Sequence, residues 1–269
     1  MKDYLYIDSS DDAHQAKFKV SKTPKVEYLI KEKRYDEALN EINDLLKTDE
    51  CFENLNLKAV ILDGLSMYEE SCEFFDRAYR LNPSDEIQLN KANTLYDWAK
   101  VTFFPEGDYE KAIKLIDDAL DTIPDGEDAS EYYFLKAEIL EALNQLVDAQ
   151  KYYLMAHKQF DKVNELESQI NYLNSTEDTL INVVGTDFHD FTPQAGMIVD
   201  LIKEEGNEHD PDAIAVFYNE KMAGYVANSD YTLIDEVRSA SKINHSIKEN
   251  QKAEILFIYL GEYVIAKLI

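Results

Sequence analysis

Cysteine, glycine and positive charge are scarce in this 269-residue chain, and each shortage excludes something. The only two cysteines, Cys51 and Cys72, lie inside helical patterns with no CxxC or Cys/His cluster beside them, so neither a disulfide framework nor a zinc site is expected. Both read as reduced packing residues. Eight glycines form no phosphate-cradling loop, and GxSxG, HExxH and a paired cysteine nucleophile and base are absent. An enzyme is therefore the weakest class, with no catalytic residue, metal or cofactor expected. No stretch reaches the roughly 18 uncharged apolar residues of a membrane helix. The opening MKDYLYIDSSDDAHQ has no apolar run between a basic start and a cleavage site, which predicts a cytoplasmic chain with no membrane partner. Lysine and arginine number 27 against 54 acidic residues, and the formal charge of −27 opposes phosphate backbones and anionic lipid. It either favours a basic partner or serves only to keep the chain soluble.

What is present is a repeat. One phrase occurs four times, as KRYDEALNEI, SMYEESCEFF, GDYEKAIKLI and NQLVDAQKYY. Aligned on it, Tyr35, Tyr68, Tyr109 and Leu146 are equivalent, 33, 41 and 37 residues apart. Three residues on stand Ala38, Ser71, Ala112 and Ala149, small enough to let two helices approach closely. Ile42, Phe75, Ile116 and Tyr153 follow, then Leu45, Ala78, Ala119 and Ala156, the stripe of a buried helix face. A matching first helix lies upstream, seen as Leu55, Ala59, Leu62 in the second unit and Tyr133, Ala137, Leu140 in the fourth. The long middle step is predicted to come from a helix that runs past Trp98 and Val101 to Phe104, where Pro105 and Gly107 stop it. Trp98, Phe103 and Phe104 either pack that longer hairpin or offer an aromatic contact to a partner.

These residues resemble the tetratricopeptide (TPR) family over about residues 22–160, with Pro83 and Pro124 at the closing position of units two and three and Glu50 there in unit one. Val26 departs from the pattern, where a small residue is usual. The resemblance implies stacked helical hairpins, with DKVNELESQINYL (161–173) as a capping helix. It also implies a groove along the first helices that binds an extended peptide. Projected onto this chain, the groove positions are Glu27, Glu53, Asn56, Asp63, Asn90, Asp97, Glu131, Glu138 and Glu141. Asn56 and Asn90 resemble the asparagines that hold a bound backbone, whereas the Lys/Arg clamp for a C-terminal carboxylate is missing. The lining points to a basic or neutral protein or peptide partner, or is a solvated acidic face.

Past Asn174 the periodicity changes to short runs that predict strands at 180–186, 197–202, 213–218, 222–227, 253–260 and 263–269, with a helix over 230–240 facing Leu233, Ile234 and Val237 inward. Six strands and one or two helices in about 90 residues predict a small closed or half-closed barrel. VVGTDF, GMIVDLIKEEGNEHDPDAIAV and AGYVA resemble the HIRAN domain over most of residues 178–269. That resemblance implies an OB-like barrel that captures a single-stranded DNA 3′ end. Phe188 falls at the base-stacking aromatic, Asn207 at the family's Asn, His209 at a second aromatic and Asp210 at the carboxylate that meets the 3′-hydroxyl; His189 adjoins them. Asp187 stands where end-binders carry an arginine. Residues 177–269 hold seven basic and 17 acidic residues, which opposes DNA. Asn207, Asp210 and Pro211 are equally the residues of a strand connector, and His189, His209 and Asp210 lack metal-ligand spacing.

The sequence thus predicts an α + β two-domain chain: a leader (1–21), an α-helical TPR solenoid of about four repeats with its cap (22–174) and a small OB-like β-barrel (177–269). The function expected is an adaptor with a peptide groove and a barrel that meets a DNA end. The alternative is a purely protein-binding scaffold.

Overall fold

The computed structural model describes residues 23–269 and, before them, the backbone of two strands, β1 (Tyr4–Asp8) and β2 (Gln15–Lys19), paired antiparallel with Tyr4 opposite Lys19. The rest of the leader lies outside the described residues. The chain divides into two units, Met1–Gln159 and Phe160–Ile269.

In the first unit, four helical hairpins follow one another: α1 (Pro24–Lys31) with α2 (Tyr35–Leu46), α3 (Phe52–Gly64) with α4 (Tyr68–Leu81), α5 (Asp85–Phe103) with α6 (Tyr109–Thr122), and α7 (Ser130–Ala142) with α8 (Leu146–Ala156). Tyr35, Tyr68, Tyr109 and Leu146 are the first residues of the second helices, as the aligned phrases predict. Ala38, Ser71, Ala112 and Ala149 are all buried at the helix crossings. Ser71, the only polar member, donates its hydroxyl to the Ala59 carbonyl of α3 at 2.8 Å, so its oxygen is buried at little cost. Ile42, Phe75 and Ile116 are fully buried in the stripe, whereas Tyr153 in the fourth unit is half-exposed.

The third hairpin is long for the reason expected. Helix α5 runs 19 residues to Phe103, and Phe104 then turns extended before Pro105. Asp108 caps α6 by accepting the Lys111 N–H at 3.1 Å. Trp98 stacks on Tyr68 of α4 with ring centroids 6.3 Å apart, packing α5 on the hairpin before it, and Phe103 packs against Tyr109 of α6 within the hairpin. Phe104 does not: it is 78% exposed.

In the second unit, α9 (Phe160–Ser175) buries Val163, Leu166 and Leu173. Its Tyr172 ring meets Phe257 edge-on at 6.1 Å, so the helix expected to cap the array falls in the same unit as the strands. Six strands follow: β3 (Leu180–Val184), β4 (Ile198–Lys203), β5 (Ile214–Tyr218), β6 (Lys221–Val226), β7 (Gln251–Tyr259) and β8 (Tyr263–Leu268). They close into an antiparallel barrel in the order β3-β6-β5-β4-β7-β8, one strand more than the five of an OB barrel. Ile181, Val199, Leu201, Ile214, Val216 and Ile255 fill its core.

The helix expected over 230–240 is not there. A 3₁₀ turn at Asp230–Thr232 gives way to extended chain, and a single helical turn, α10 (Ala240–Ile243), comes after it. The Thr232 carbonyl accepts from the Asn182 amide at 2.8 Å, the Arg238 N–H donates to Leu180 and the Ala240 N–H to Ala227. These bonds to the barrel spend the backbone groups a helix would need.

Candidate functional site

The predicted groove positions sit on the first helices of the hairpins at very different depths. Glu27 on α1, Asn56 on α3, and Asn90 and Asp97 on α5 are buried; Asp63 and Glu138 are half-buried; Glu53, Glu131 and Glu141 are exposed. The Asn90 amide donates to Asn56 Oδ1 across α3 and α5 at a long 3.5 Å, and its own buried Oδ1 has no partner. Glu141 accepts from the Tyr153 hydroxyl of α8 at 2.6 Å.

Asp63 and Asp97, also 34 residues apart, form a carboxylate pair between α3 and α5. Asp63 is only half-buried as a residue, yet its Oδ1 is shut off from solvent and has no hydrogen-bond partner. Burial, and then the neighbouring Asp97, push the Asp63 carboxyl up to about 7, against a smaller opposing effect of a hydrogen bond from Thr94. Asp63 therefore keeps its proton to far higher pH than an exposed aspartate does.

Between α5 and α7 lies a cleft of about 480 Å³ lined by Tyr96, Lys100, Phe103, Phe104, Glu131, Phe134, Leu135 and Glu138. Its floor is aromatic. Burial, and after it Glu141, raise the Glu138 carboxyl above its usual range, while Lys100 acts in the opposite direction. This cleft joins four residues named from the sequence (Glu131, Glu138, Phe103 and Phe104) to Lys100, Tyr96 and Phe134, which the sequence reading did not place in a site. Phe134, 42% exposed on a first helix, was the available signal.

At the barrel, Gly185 adopts a left-handed conformation (φ 75) and opens a 3₁₀ turn at Thr186–His189 that Asp190 (φ 50) closes. The turn presents Phe188 at 92% exposure. His189 lies 6.3 Å from the Tyr225 ring of β6. Tyr225 hydrogen-bonds Glu204, and Glu204 accepts from the Asn207 amide at 2.7 Å. The two predicted segments are thus brought together through Tyr225 and Glu204, neither of which was singled out.

Within the second segment Asn207 and Asp210 build the connector. Asn207 Oδ1 accepts the N–H groups of His209 and Asp210 at 2.9 and 3.0 Å. Asp210 accepts from the Asp212 N–H at 3.0 Å and, on its other oxygen, from the Asn228 amide at 2.9 Å. His209 is exposed. Lys221 lies at the opposite end of β6 from Tyr225, about 13 Å along the strand.

Both cysteines are free thiols, and burial pushes Cys72 up to about 12, so it is unreactive. Among the described residues no group of three or more His, Cys, Asp or Glu is arranged to hold a metal ion, and no helix is long and apolar enough to cross a membrane.

The geometry of α3 and α4, with Ser71 at their crossing and Pro83 behind them, is that of a repeat unit. Residues 52–85 match the tetratricopeptide-repeat family model. No curated protein matches the chain. The match covers the second of the four TPR-like hairpins, and the repeat suggests a protein-interaction role.

Proposed function

We propose that the protein is a non-enzymatic adaptor whose first-helix face holds an extended peptide of basic or neutral character. The observation that supports this reading best is the α5–α7 cleft, where an aromatic floor sits beside Glu131 and Glu138. An aliphatic or aromatic side chain of the peptide enters against Tyr96, Phe134 and Leu135, and a flanking cation meets the carboxylates. Asn90 Oδ1, buried and unpartnered, is an acceptor for the same chain if the groove opens to admit it. Selection of a random peptide library on the full chain tests the reading: basic or neutral sequences with an apolar anchor are expected, and enrichment of acidic C-terminal tails overturns it.

A second activity, capture of a single-stranded DNA 3′ end by the HIRAN-like barrel, is favoured by one observation: Phe188 is held out of the core on a short, tightly bonded turn. A flat ring in that setting stacks on any base. Asp210 already accepts two hydrogen bonds, but a carboxylate has about four lone-pair sites, so it retains capacity for a 3′-hydroxyl. The acidic surroundings weaken binding throughout. Phe188→Ala is expected to remove about 1 to 3 kcal/mol of stacking and abolish binding, and Asp187→Arg to strengthen it. Fluorescence anisotropy at low salt, with 3′-hydroxyl and 3′-phosphate oligonucleotides, checks both. No binding by the wild type or either variant assigns the barrel to protein contacts.

A further inference from the structure

A small cleft of about 240 Å³ in the first unit is lined by Asn43, Leu46, Lys47, Glu50, Lys58, Phe74 and Arg77, drawn from α2, α3, α4 and the α2–α3 turn. Three cations around one carboxylate is an unusual lining in a chain with twice as many acids as bases. Lys58 Nζ lies 4.2 Å from the centroid of the Phe74 ring, and Arg77 Cζ lies 4.7 Å from the same centroid. Among the described residues Lys58 makes no ion pair within 4 Å and no hydrogen bond; it rests on this aromatic face, with the charge of Glu70 acting on it from farther off. Burial, and then the charge of Arg77, lower the Lys58 ammonium from its usual range, against a smaller opposing effect of Glu70.

The other two cations pair with exposed acids. Lys47 pairs with Asp44 at 2.7 Å, with side chains 72% and 76% exposed. Arg77 pairs with Glu50, the residue at the closing position where other units carry proline. Such pairs are weakened by water, and a guanidinium has five donors, of which Glu50 takes one here. Both cations are therefore free to turn toward a more strongly charged acceptor.

From this geometry we infer an anion site that takes a phosphomonoester, its phosphoryl oxygens between Lys58 and Arg77 with Lys47 at the rim and its organic part against Phe74 and Leu46. A phosphomonoester carries about −1.5 to −2 charge at neutral pH and three acceptor oxygens, which suits a lining with an excess of two cations better than a single carboxylate does. The site is separate from the acidic cleft between α5 and α7, and it stands whether or not that cleft binds a peptide.

Isothermal titration of the full chain with phenyl phosphate and with inorganic phosphate, against sodium chloride of matched ionic strength, tests it and separates an esterified ligand from free phosphate. Saturable one-to-one binding is expected. Lys58→Gln should weaken it at least tenfold, and lowering the pH below the second phosphate ionisation, near pH 6, should weaken it further. Lys47→Gln, an exposed change that does not threaten the fold, should cost about threefold, while Lys25→Gln, on α1 and paired with Glu41, should change nothing. No saturable heat with either ligand, or binding undiminished in both Lys58→Gln and Lys47→Gln, overturns the inference.

Discussion

Gly224→Ala is expected to collapse the barrel. A β-carbon built on Gly224 would sit 2.3 Å from the Val184 carbonyl oxygen and 3.4 Å from Val183 Cγ1. The backbone there has φ +149, a conformation that side-chain-bearing residues rarely adopt. The obstacle is the backbone of β3, the strand that pairs with β6 through Val183 opposite Val226 and Val184 opposite Tyr225. Relief requires β3 and β6 to separate, which breaks the closure of the sheet. The cost expected is about 3 kcal/mol or more, the range of the largest single substitutions. Gly261→Ala provides the comparison: its φ is +74, but nothing lies within 4 Å of the added carbon, so only strain of about 1 kcal/mol is expected. Amide hydrogen exchange over residues 180–226 should show protection lost in the first variant and kept in the second. Equal protection in both would mean that the close approach at Gly224 does not hold the barrel shut.

Asp63→Asn is expected to stabilise the helical unit at pH 8 and to leave it almost unchanged at pH 4. The folded carboxyl titrates at about 7, and an unfolded aspartate near 3.9. Between those values the folded protein binds more protons than the unfolded chain, so this group's contribution to stability falls as pH rises through the window and is fully lost above it. Asparagine carries no charge at any pH and removes the penalty, worth about 2 to 4 kcal/mol at pH 8. Asp97 and Thr94 from α5 and Tyr68 from α4 are the groups that act on or with this carboxyl, and all remain in the variant. Exposed acids run the other way: Asp128, held far below the usual range first by hydrogen bonds with Lys158 and Ser130, loses its favourable interactions as pH falls. The difference between wild type and variant isolates Asp63. Urea unfolding followed by far-UV circular dichroism at both pH values measures it, and a difference that does not change with pH would contradict a buried Asp63 carboxyl that titrates near neutrality.

The repeat was legible because its signal is local and repeated. Ala38, Ser71, Ala112 and Ala149 recur at one register, and each is buried at a helix crossing. The strands were equally legible, and in 198–203 the buried Val199 and Leu201 alternate with more exposed neighbours. Depth was not. The TPR resemblance puts Asn56, Asn90 and Asp97 on the first-helix face, but how far the neighbouring helix covers that face is set by packing between units, which no single repeat encodes. The missing helix at 230–240 fails for a related reason: its apolar spacing is helical, yet Asn182, Leu180 and Ala227, distant in sequence, claim its backbone. Lys58, Phe74 and Arg77 come from two helices and meet only once α3 and α4 fold together, so nothing in their spacing announces a site. Phe188 was legible as an aromatic after a Val-Gly strand, whereas its link to Asn207 runs through Tyr225 and Glu204, which only the barrel's closure brings near.

On the proposed function, the acidic cleft between α5 and α7 selects its peptide by charge and by one apolar anchor. That selection is tested most directly by measuring the affinity of a library-selected peptide for the wild type and for the Glu138→Lys, Glu141→Lys double variant across a range of salt. Weaker binding by the variant is expected, with the largest loss at low salt, where screening is least. Unchanged affinity, or a gain for basic peptides in the double variant, would contradict it.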